Sequence, residues 1–162
     1  MPKHRRKSAL QVRAKLHESS MTAVDFHSEV SQPLLYAARL ARKAMQQQQA
    51  LVLLCVAPQV SALEEALQAL DKTAVVPACT SDAPAAVVQR SLITIAHDAH
   101  QVPARGWLVN LTQSWPDGFE AFEKVIEVIG VDEAAVASGR QRWQQYKAKG
   151  YPLQHRKTPP NA

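Results

Sequence analysis

Hydrophobic and polar positions repeat with two different periods along this chain, and the switches between them mark out its elements. Met21 opens T-A-V-D-F-H, an apolar alternation that reads as a first strand. Leu34, Ala38, Ala41 and Met45 then recur on one helical face, with Ser31 placed to cap that helix and Pro33 suited to its first turn. The glutamine run 46–49 reads as a solvated last turn. L-V-L-L-C-V (51–56) is apolar at every position, as a central parallel strand buried on both faces would be. Ser61 and Glu64 have capping-box spacing at the start of a helix that buries Leu63, Leu67 and Leu70, and residues 73–76 can lead into an edge element.

Residues 78–84 are rich in turn formers and read as a linker. S-L-I-T-I-A (91–96) and W-L-V-N-L (107–111) are strand-like, separated by a loop carrying His97, His100 and Pro103. Trp115-Pro-Asp-Gly forms a turn, and Asp117 and Glu120 are expected to cap a short helix with Phe119 and Phe122. V-I-E-V-I (125–129) is a further strand, Asp132 caps the last helix, and Gly150 suits its C-terminal stop. Strands alternating with helices give an α/β fold, a three-layer αβα sandwich around a mostly parallel sheet. With 162 residues and 46% hydrophobic content, the chain supports one core. The expected domain is 21–155, preceded by a basic, disordered extension 1–20 and followed by a flexible tail 156–162.

The net charge of +5 points first to nucleic acid, but its distribution changes that reading. Residues 1–20 hold six cations, Lys3, Arg5, Arg6 and Lys7 among them, against one carboxylate; the rest of the chain balances to zero. Within that remainder, residues 21–138 carry seven cations and thirteen carboxylates, whereas residues 139–162 carry six cations and no carboxylate. Such a body is polarised, and draws acidic ligands to one patch while repelling bulk polyanion elsewhere. Cys55 and Cys79 stand in unrelated contexts, without a C-x-x-C, and read as reduced thiols of an intracellular protein. No stretch approaches the roughly 20 apolar residues of a membrane helix, so a soluble, cytoplasmic protein without a membrane partner is expected.

A parallel sheet raises the question of nucleotide binding, and both G-x-x-x-x-G-K-[ST] and G-x-G-x-x-G are missing; the five glycines are scattered. No cofactor is expected. His97 and His100, with Asp98 between them and Asp25 and His27 as possible neighbours, make a weak metal set, so no metal site is assigned. No Ser or Cys has the context of a nucleophile, and no catalytic residue is assigned.

The most informative segment is R-Q-R-W-Q-Q-Y-K-A-K-G-Y (140–151). On a helical period Val136, Arg140, Trp143, Gln144 and Lys147 share one stripe, so a guanidinium and an ammonium flank an indole. One reading docks Val136, Trp143 and Tyr146 on the sheet and leaves the cations in water. The other has Arg140 pair with a peptide carboxylate while an apolar side chain enters beside Trp143. Both can hold at once.

The ordered set V-D-F-H, Y-A-A-R-L-A-R-K-A, V-P near residue 77, W-L-V-N-L, P-D-G-F-E-A-F-E-K-V-I-E-V-I-G and R-Q-R-W-Q-Q-Y-K-A-K-G-Y resembles the chi subunit of bacterial DNA polymerase III, from residue 21 to about 155. The resemblance implies a non-catalytic accessory subunit of the clamp loader, with a nucleotide-binding-like topology that lacks a phosphate loop. It implies the psi subunit, or another replication or repair protein, as a partner and, through single-stranded DNA-binding protein, an indirect association with single-stranded DNA. That protein's acidic C-terminal tail ends in an aromatic residue with a free carboxylate. By the same resemblance Arg140 and Trp143 contact the tail, with Ile129 and Val136 as apolar wall. The chain departs from its relatives at Gln144, where they carry a lysine, and at Val136, where a cation is also missing; Lys147 stands one turn on. Two other readings compete: direct nucleic-acid binding through Lys3, Arg5, Arg6, Lys7 and the terminal cations, and a metal-dependent enzyme using His97 and His100.

Overall fold

Helix placement in this protein follows from the order of its parallel strands and one rule of chirality. In a computed structural model that describes residues 21–70, 76–103 and 106–159, the elements are β1 (Ala23–Val30), α1 (Pro33–Gln46), β2 (Leu51–Leu54), α2 (Val60–Ala69), β3 (Ala78–Thr80), α3 (Ala85–Arg90), β4 (Ile93–Ala96), β5 (Trp107–Asn110), β6 (Lys124–Gly130), α4 (Glu133–Ala148) and β7 (Leu153–Lys157). The strands lie in the order β3-β4-β2-β5-β6-β1-β7, every pair parallel. The chain steps one way across the sheet from β1 through β2 to β3, then reverses for every later connection. Right-handed crossovers therefore put α1 and α2 on one face and α3 and α4 on the other.

The side-chain pattern agrees. Leu51, Leu53, Ile93, Ile95, Ile126 and Val128 lie on the face of α1 and α2, whereas Val52, Leu54, Leu108, Val125 and Phe26 lie on the face of α3 and α4. α1 presents Ala37, Ala38, Ala41 and Ala44 to the sheet, a small-residue stripe that lets its backbone approach closely, with Leu34 and Met45 only half-buried at its margins. Each fully buried leucine or isoleucine contributes about 2 kcal/mol of apolar transfer. Among the described residues no helix is long and apolar enough to cross a membrane.

Several local expectations are corrected. Ser31 does not cap α1; Gln32 holds the N-cap position without a side-chain bond, and Pro33 opens the helix. Ser61 and Glu64 form no capping box, because Pro58 starts a 3-10 turn (Ala57–Gln59) that runs straight into α2 and leaves Ser61 inside the helix. The edge strand is β3, within the segment read as a linker; residues 73–75 lie outside the described residues, as do 1–20. Phe119 sits on a 3-10 turn (Phe119–Ala121) entered through Gly118 at φ 87°, without a cap from Asp117. Asp132 does cap α4, accepting from the Ala135 N–H at 3.2 Å, and Gly150 at φ 79° ends its C-terminal turn. The seventh strand, β7, continues past the expected boundary at 155 and pairs with β1 from Val24↔Leu153 to Ser28↔Lys157.

Candidate functional site

β1 and β6 are neighbours whose following helices leave to opposite faces of the sheet. A crevice opens above the carboxyl ends of two such strands, the usual place for a ligand in an open parallel sheet. Here it is a cleft of about 540 Å³, walled by Phe26, Ser28 and Glu29 of β1, Ile129 and Gly130 of β6, the α4 face and the end of β7. A β-bulge shifts the β1 register between His27 and Val30, and Glu29 takes φ 59° there.

The α4 wall is Val136, Gly139, Arg140 and Trp143. Gly139 is what allows the helix to lie this deep: a Cβ at that position would meet Ile129 Cδ1 at 2.9 Å. Trp143 is half-buried, edge-on to Phe26 with ring centroids 5.0 Å apart, so one face of the indole is fixed by packing and the rest borders the cleft. Arg140 is exposed at the rim. Of the six residues assigned from sequence, Ile129, Val136, Arg140 and Trp143 thus converge; Gln144 and Lys147 are exposed on α4 and do not line the cleft. Lys3, Arg5, Arg6 and Lys7 lie outside the described residues.

Beneath α4 lies a polar network that the sequence reading missed. Glu127, in the middle of β6, accepts from Arg142 Nε at 3.0 Å, Tyr146 Oη at 2.9 Å and Asn110 Nδ2 at 3.1 Å. All four side chains are buried. Burial pushes the Glu127 carboxyl up, while the Arg142 guanidinium and the two other donors pull against that rise. Tyr146 is pushed up by burial and by the charge of Glu127. The signal was present in V-I-E-V-I: a lone carboxylate inside an apolar strand demands a buried cation, and α4 is the cationic helix that follows.

The β7 wall was also missed, because L-Q-H-R-K shows no apolar alternation. It brings His155 and Lys157 to the cleft. Ser28 Oγ is 2.7 Å from His155 Nε2, and Lys157 Nζ is 3.7 Å from Glu29 Oε1.

A family model described as DNA polymerase III chi subunit, HolC, matches residues 21–154. The chain belongs to the chi family. It is an accessory subunit of DNA polymerase III, and the chi match ends within β7. No match to a curated protein accompanies it.

The residues considered for metal in this chi chain are dispersed. His97 Nδ1 approaches the Cys55 carbonyl at 3.3 Å, and His100 Nε2 lies 3.4 Å from Asp117 Oδ2, both bordering a second cleft of about 460 Å³ at the ends of β2, β4 and β5. Asp25 and His27 are on β1, three strands beyond β2, where Asp25 pairs with Lys124 at 2.9 Å and His27 bonds Tyr36. Among the described residues no group of three or more His, Cys, Asp or Glu is gathered as a metal site would need.

Proposed function

We propose that this chi subunit is non-catalytic and tethers the clamp loader to coated single-stranded DNA by gripping the acidic C-terminal tail of single-stranded DNA-binding protein. The observation that supports this most is the convergence of Arg140 and Trp143 on one cleft that Ile129 and Val136 also line. A guanidinium at the rim suits a terminal carboxylate, and an indole beside an apolar floor suits an aromatic ring. The psi subunit is the partner expected to anchor the chain in the assembly.

Titration of a fluorescent acidic peptide ending in phenylalanine tests this. Arg140→Ala and Trp143→Ala are each expected to cost about 1.5 to 3 kcal/mol of binding, tenfold or more in affinity. An Arg140→Ala variant that binds like the parent would remove the site. Binding of single-stranded DNA by the parent without the tail peptide would favour direct nucleic-acid binding instead.

A further inference from the structure

Resting on that reading of the cleft, we propose that β7 supplies a second cationic wall, in which Lys157 reads a carboxylate upstream of the ligand's terminus and Glu29 is a resident counter-ion that the ligand displaces. The α4 wall of this chain offers one cation to the cleft, Arg140, because Val136 and Gln144 are uncharged and Gln144 and Lys147 lie outside the lining. A tail with several acidic residues presents more negative charge than one guanidinium can answer.

The opposite wall answers it. Along β7 the residues Leu153, His155 and Lys157 alternate toward α4: Leu153 packs with the core on that face, the His155 ring centroid is 6.2 Å from that of Trp143, and Lys157 lines the cleft. The parallel register sets Ser28 beside Lys157, and the Ser28 hydroxyl fixes the His155 ring at 2.7 Å. No residue of β7 is acidic. Asp132, just outside the lining, caps α4, and among the residues that line the cleft the carboxylate is that of Glu29.

Glu29 has the properties of a replaceable partner. Its side chain is 60% exposed and that of Lys157 72%, and at 3.7 Å in solvent such a pair holds weakly. Exchanging one carboxylate for another on Lys157 therefore costs little, and the departing Glu29 returns to water. The left-handed backbone at Glu29, φ 59°, sits at the β1 bulge, where strained backbone commonly borders a binding site.

The test is fluorescence anisotropy on the full chain with two labelled peptides, both ending in phenylalanine with a free carboxylate. One has acidic residues upstream and the other has their amides. Lys157→Met is expected to weaken the acidic peptide about threefold to fivefold and to leave the amide peptide unchanged, while Glu29→Gln tightens the acidic peptide by about twofold to threefold, both effects fading with salt. Both side chains are exposed, and circular dichroism is used to check that the variants fold. If the parent binds and Arg140→Ala weakens it, but Lys157→Met binds both peptides like the parent, the second wall is overturned and the tail-binding reading stands. An equal loss on both peptides also overturns it, since Lys157 would then not read the upstream charge. A parent that binds neither peptide overturns the reading of the cleft itself.

Discussion

Arg142 Nε lies 3.0 Å from Glu127 Oε2, with the two side chains 4% and 0% exposed. This pair ties the middle of α4 to the middle of β6 on the face where Trp143 and Arg140 border the cleft. Neighbouring positions on a helix point about 100° apart, so fixing Arg142 inward turns Trp143 toward Phe26 and leaves Arg140 at the rim. A buried ion pair is a poor source of net stability, but any other rotation of this helix would strand a charge in the interior, which disfavours it.

Arg142→Met should leave Glu127 buried without its cation and cost about 3 to 5 kcal/mol, a large fraction of the stability of an ordinary domain. Adding Glu127→Gln should return part of that loss, because a neutral amide keeps a partner for Tyr146 Oη without a stranded charge. Urea unfolding at pH 7 of parent, single and double variants checks both; an Arg142→Met cost under 1 kcal/mol would show that the pair does not hold the helix.

How much of this was legible depended on periodicity. The strands β2, β4, β5 and β6 announced themselves by apolar runs, and the alternation of elements fixed the three-layer arrangement. Val136, Arg140 and Trp143 were singled out by a helical stripe and Ile129 by the resemblance, and all four line one cleft. What escaped had no periodic signal: β7 is an edge strand whose residues are mostly solvated, so L-Q-H-R-K gives no strand pattern and its last two residues, Arg156 and Lys157, fall in the expected tail. Caps at Ser31 and Ser61 failed because prolines at 33 and 58 decide where those helices begin.

Gln144 and Lys147 face solvent beside the cleft, which limits what charge there can do. Gln144→Lys is expected to raise affinity for the acidic peptide by about twofold at low salt, with the gain lost near 0.5 M salt, as for other exposed charges. Lys147→Ala should weaken binding less than Arg140→Ala does. Anisotropy titrations at two salt concentrations compare them.

His27 should make the fold acid-sensitive. Burial first, and then the nearby Arg156, lower its pKa from 6.5 to about 4. The folded state thus favours the neutral ring, while the unfolded chain takes up a proton as pH falls through about 6.5. Stability from this residue is full above that value and is lost progressively down to about pH 4, by roughly 2 to 3 kcal/mol. Urea unfolding between pH 7.5 and 4.5 should show a shallower fall for His27→Asn than for the parent. Identical slopes would mean that other groups carry the acid sensitivity.

Gly139 separates stability from binding. In the interior of an exposed helix, Gly→Ala gains up to about 1 kcal/mol from backbone propensity. At this position the new methyl would stand 2.9 Å from Ile129 Cδ1 and 3.3 Å from Cγ2, so the isoleucine must turn aside. The terminal methyl of Ile129 is mobile about χ2, which keeps the cost comparable to the gain, and an off-rotamer side chain costs about 1 kcal/mol. Net stability should therefore change by less than about 1 kcal/mol. Ile129 also lines the cleft with Val136 and Trp143, so on the proposed function a displaced isoleucine would narrow the space for an aromatic ring. Gly139→Ala is expected to weaken the acidic peptide about fivefold or more while its urea midpoint stays near the parent's, since a misfitted apolar pocket loses 1 kcal/mol or more. A variant that binds like the parent would show that the peptide's ring does not reach Ile129.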